Sequence, residues 1–152
     1  MTGPSFRFRL ERVRAVRERK EKLAQQELAR AISARSLTEA ELQSAERRIE
    51  QAHGEQRAVA AGPSTMSSSE LLARQTFLER VEAQRTVTEL ELRQREREVN
   101  DRGAELTLAA GEHEMLNRLR DRHRGEHDRD VARRERNVLD EIATMRVGRS
   151  SA

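Results

Sequence analysis

One stretch of this chain forces it to turn, and the rest is built to stay helical. In "AVAAGPSTMSSSELLARQ", residues 58–75, Gly62 can take the left-handed conformation that ends a helix, and Pro63 cannot continue one. The restart is equally legible. Ser67 followed three residues later by Glu70 reads as a capping box, and Met66 and Leu71 fall at the two positions of a hydrophobic staple. A first helix therefore ends near Ala61 and a second begins near Ser67.

Upstream of the corner, Ala24, Leu28, Ala31, Leu42, Ala45, Ile49, Ala52 and Val59 recur in three- and four-residue steps, with Arg35, Thr38 and Gln56 as polar interruptions. Downstream, Leu71, Leu78, Leu92, Val99 and Leu106 lie multiples of seven apart, and Val81, Thr88, Ala109 and Leu116 fill much of the companion position. Two seams of heptad period joined by a short corner predict an all-α fold: an antiparallel coiled-coil hairpin of two long helices. We expect a single coiled-coil domain over residues 1–152. Helix one spans about 6–61, the corner 62–66 and helix two about 67–146, with a flexible tail over 147–152. Gly103 and Gly111 mark where helix two would kink, since each costs about 1 kcal/mol relative to alanine.

The lengths matter. At about 1.5 Å per residue, helix one reaches roughly 80 Å and helix two roughly 115 Å. Folding about the corner places Phe6 near Arg122, so helix two should overhang. That overhang holds a densely charged run, Arg120 to Arg136, and then a renewed apolar stripe of Val138, Leu139, Ile142 and Met145. A stripe on one side of a helix needs something to lie against, which points to another protein.

Composition narrows the function. Charged residues make up 38% of the 152, and Phe6, Phe8 and Phe77 are the only aromatics, so there is little from which to wall a buried active site. The net charge is only +3, so interleaved signs read as a solvated helical surface and not as a nucleic-acid face. Residues 1–35 nevertheless carry ten basic against four acidic groups, and 36–110 ten against fourteen, so the terminal end is basic and the corner end acidic. Without cysteine, neither disulfides nor thiolate sites can form. No stretch approaches the roughly 20 apolar residues of a membrane span, and the N-terminus lacks a signal-peptide run; a cytoplasmic protein is expected.

His123 and His127 stand one helical turn apart with Glu126 between them, a spacing that can present two imidazoles to zinc. A structural site needs about four ligands, and nothing nearby supplies the others. No phosphate-loop motif occurs, so neither a metal nor a bound nucleotide is expected. The arginine-rich opening "FRFRLERVRAVRERKEK" could meet phosphates, which keeps a basic nucleic-acid-binding coiled coil as an alternative. Phe77 lies one step off the seam of Leu71 and Leu78, with Val81 one turn on; it either flanks the seam as an edge aromatic or marks a contact patch near the corner.

The two ends together resemble the flagellar export protein FliJ family. "FRFRLERVRAVRERKEKLAQQELARA" is similar to its opening, and "ERNVLDEIATMR", with Leu139, Asp140, Glu141, Ile142 and Arg146, to its closing signature. "RQTFLERV" resembles its stretch after the corner, although no tyrosine accompanies Phe77 and the glycines of helix two depart from the pattern. The resemblance implies a non-enzymatic part of the flagellar type III export apparatus, like the central stalk of a rotary ATPase. It would link the hexameric export ATPase FliI to the export gate protein FlhA and contact export chaperones, with no cofactor, no nucleic acid and no direct membrane insertion. Phe6, Leu10, Val13, Val138, Leu139, Ile142 and Met145 would face the ATPase ring, and Phe77 and Val81 the gate, at the cytoplasmic face of the membrane. The stalk of a virulence-type secretion system is the alternative of the same architecture.

Overall fold

The computed structural model describes residues 5–63 and 66–150, without the side chains of 147–150. Two helices account for almost all of it: α1, Glu11–Ala61, and α2, Ser68–Ser150. They pack against each other, and no strand occurs among the described residues.

The corner forms largely for the reasons the sequence offers. The Ser67 hydroxyl accepts a hydrogen bond from the Glu70 amide at 3.3 Å, while the Ser67 amide donates to the Glu70 carboxylate at 3.0 Å. This reciprocal box satisfies two amides that the first turn of α2 would otherwise leave open. The exit from α1 differs from expectation. No described glycine has positive φ, so Gly62 does not end the helix in a left-handed conformation. Its amide instead bonds the Val59 carbonyl at 3.2 Å, a tightened last turn, and Pro63 then blocks continuation.

α1 starts five residues later than the helix expected from Phe6. The Glu11 amide bonds the Phe8 carbonyl at 3.2 Å, and the Arg14 amide bonds the Leu10 carbonyl at 2.9 Å as the first helical turn closes. At the other end α2 is helical to Ser150, into the expected flexible tail; residues 151 and 152 lie outside the described residues. α2 also stays helical through Gly103 and Gly111, where a Cβ would meet nothing within 4 Å.

The chain divides into two compact units, Leu23–Leu106 and Met1–Lys22 with Thr107–Ala152. In the first, Ala31, Thr38 and Ala45 of α1 are buried, as are Leu78, Val81 and Thr88 of α2. The alanines let the helices approach closely, and the larger leucine and valine fill the space opposite. Both threonines turn their hydroxyls back to the carbonyl four residues earlier, Thr38 to Ala34 at 3.2 Å and Thr88 to Gln84 at 3.0 Å. The polar interruption at Thr38 is therefore satisfied inside the seam. Leu71, expected in that seam, is half exposed. Arg35 reaches Glu96, and Arg85 reaches Glu46, at 3.9 and 3.7 Å along the edges.

In the second unit, Ala109 is the most enclosed residue, at 1% exposure. Around it the helices are tied by polar contacts: Arg17 to Glu112 at 2.7 Å, Lys20 to Glu112 at 3.3 Å and His113 Nδ1 to Glu21 at 2.6 Å. The Arg17 and Lys20 pairs are largely exposed and contribute about 0–1 kcal/mol each, so they set register more than they hold the fold, whereas the His113–Glu21 hydrogen bond is part-buried.

Candidate interaction surfaces

At the termini, residues 5–8 belong to no helix and form a short strap. Phe6 lies against His127 with ring centroids 5.7 Å apart, and Phe8 against His123 at 5.9 Å in an edge-on arrangement. Spacing explains the fit. Alternate residues of an extended segment lie on one side about 6.6 Å apart. Residues four apart on a helix rise about 6 Å. Phe-x-Phe on the strap thus matches His-x-x-x-His on α2. In a helix the same two phenylalanines would point about 200° apart, and one would face away. Pairing both rings with the histidines favours the non-helical path, which leaves Phe6 and Phe8 half-buried.

This contact also corrects the predicted register. Phe6 sits beside His127, five residues beyond the expected Arg122, so the charged run is partly covered by the strap. His123 is exposed and His127 half-buried, and each serves as a ring partner for one phenylalanine. No group of three or more His, Cys, Asp or Glu able to hold a metal occurs among the described residues. The signal was present as matching spacings, but it requires knowing that residues 5–8 leave the helix.

Basic groups gather here. Arg7, Arg9, Arg12, Arg120 and Arg124 line an open concavity of about 770 Å³ together with Phe6, Phe8 and Glu11. Glu11 is engaged with Arg14, which donates from Nη2 at 2.6 Å and from Nε at 2.9 Å. That hydrogen bonding holds the Glu11 carboxyl below its usual range and raises the Arg14 guanidinium. Leu10 and Val13 stand half exposed beside it.

Further along α2, every residue from 133 to 146 is exposed. Val138, Leu139, Ile142 and Met145 leave between 45% and 68% of their surface open. Thr144 donates its hydroxyl to the carbonyls of Asp140 and Glu141, within the same helix. The stripe is a formed helical surface with its apolar side uncovered.

In the corner unit the two residues paired by sequence separate. Phe77 is 48% exposed and lines a shallow cavity of about 320 Å³ with Ala52, Gln56, Ala73 and Leu78. Val81 is only 8% exposed and belongs to the seam beneath it. Phe77 can present an aromatic surface; Val81 can only support it.

No described helix is long and apolar enough to cross a membrane. Neither a curated protein nor a solved structure matches the chain. The family model described as the flagellar FliJ protein matches residues 6–152, from the phenylalanine strap through the terminal stripe. The chain therefore belongs to the flagellar FliJ protein family, whose members are non-catalytic accessories of flagellar export.

Proposed function

We propose that the chain couples the flagellar export ATPase FliI to the membrane export gate FlhA, with a different surface for each. The observation that carries this reading is the open apolar stripe of Val138, Leu139, Ile142 and Met145 on the last turns of α2. Burying such a stripe is worth about 25 cal/mol per Å² of apolar surface, and on this chain the residues from 133 to 146 are all exposed. A ring of ATPase subunits offers an apolar sleeve for it. Phe6, Leu10 and Val13 would stand at the rim of that sleeve, beside the basic strap. Phe77, supported by Val81, would face the gate, and export chaperones would use the remaining helical surface. In this reading the chain works at the cytoplasmic face of the membrane through its partners, needs no cofactor and binds no nucleic acid.

The test is separability. The full chain, Ile142→Asp and Phe77→Ala are each mixed with the purified ATPase and, separately, with the cytoplasmic part of the gate protein. Ile142→Asp should abolish capture of the ATPase and spare the gate; Phe77→Ala should do the reverse. Loss of both partners by either substitution, with the helical content intact, would overturn the assignment of one surface to each.

A further inference from the structure

We propose that the arginine-lined concavity beneath the N-terminal strap binds an oligophosphate group, of the kind carried by a nucleoside triphosphate or by inorganic polyphosphate. Arg7, Arg9, Arg12 and Arg124 form no ion pair among the described residues, although such pairs recur along both helices. Arg14, Arg17 and Arg133 are matched to carboxylates, whereas other arginines such as Arg93 and Arg134 are not; what sets these four apart is that they line one concavity together. The fifth, Arg120, is bonded to its own neighbour Asp121 at 3.3–3.4 Å. The single acidic group lining the site, Glu11, is turned to Arg14.

Four unmatched guanidinium groups around one space repel each other and await an anion. The size of the space selects the anion. A volume of about 770 Å³ falls in the range of small-ligand sites, about 300–1,000 Å³. A triphosphate concentrates several negative charges within that compass, and planar guanidinium forks suit its oxygens. Phe6 and Phe8 line the same space and give it one apolar side. The strap is essential to this geometry: it carries Arg7 and Arg9, and the phenylalanine–histidine contacts bring them to Arg120 and Arg124 on α2.

The inference does not rest on the export reading, because it concerns the isolated chain. It is tested by calorimetric titration of the full chain with inorganic triphosphate, and separately with ATP, at 0.15 M salt. One triphosphate should bind per chain, and Arg9→Gln and Arg124→Gln should each weaken it by about tenfold, as expected for loss of one charge-assisted contact. Arg134→Gln, on α2 away from the concavity, should leave it unchanged. Equal binding of ATP would mean that the phosphates alone are read, and tighter binding of ATP that the base is held as well; both support the site. No saturable binding of either compound, or equal weakening by Arg134→Gln, would overturn it. Circular dichroism of each variant separates lost binding from lost fold.

Discussion

Replacing Gly54, Gly103, Gly111 and Gly125 together by alanine should stabilise the chain markedly. Each of the four lies inside a helix, and a Cβ built at any of them meets no atom within 4 Å. Alanine therefore adds no clash and removes the entropy cost that glycine brings to a helix interior, about 0.5–1 kcal/mol per site. The closest two in sequence, Gly103 and Gly111, are about 12 Å apart along α2, far enough for their effects to add. The sum is about 2–4 kcal/mol. For a chain of this size that corresponds to a rise in melting temperature of roughly 5–15 °C. Urea and thermal unfolding followed at 222 nm would read it, with the four single variants alongside. If Gly54→Ala and Gly125→Ala stabilise while Gly103→Ala or Gly111→Ala destabilises, the reasoning fails. Those two positions would then need a backbone that only glycine adopts, and α2 would not be continuous through them.

Three further outcomes follow from the packing. Leu78→Ala should cost about 2–3 kcal/mol in urea unfolding, because Leu78 is buried in the seam against the small residues of α1. Phe8→Ala should remove an edge-on ring pair worth about 0.5–1.5 kcal/mol, and trypsin should then cut faster after Arg7 and Arg9 without unfolding the helices. Glu11 has its carboxyl pKa depressed chiefly by hydrogen bonding from Arg14, so its contribution is full above the unfolded pKa of about 4.3 and fades as pH falls through the lower folded value. Melting curves of the native chain and Glu11→Gln should therefore differ at pH 7 and converge near pH 2.

The corner and the seam were legible because each rests on local rules. Ser67 and Glu70 make their box from four consecutive residues, and Ala31, Ala45, Leu78 and Val81 are buried at the heptad positions that name them. The termini were not, because their structure is decided across the chain. Phe6 to Leu10 reads as a helical turn until the histidines of α2 are placed opposite, and only then does a non-helical strap bring both rings against them. The register offset at Phe6 is shared by the helices themselves, where Arg35 meets Glu96 and Glu46 meets Arg85. Leu71 shows the opposite failure: it keeps heptad spacing but lies in the first turn of α2 and is half exposed. Of the candidate surfaces, the terminal stripe and Phe77 stood out as apolar residues without an evident partner. The arginine concavity did not, since its members come from the strap, the first turn of α1 and α2.

The central claim, that the last turns of α2 engage the export ATPase, is tested most directly by ATP hydrolysis. The purified ATPase is assayed with increasing amounts of the full chain and of a version ending at Arg129, which keeps the strap contacts and lacks the stripe. The account predicts stimulation by the full chain and none by the shortened one. Equal stimulation by both would contradict it, and would move the ATPase contact to the strap or the seam.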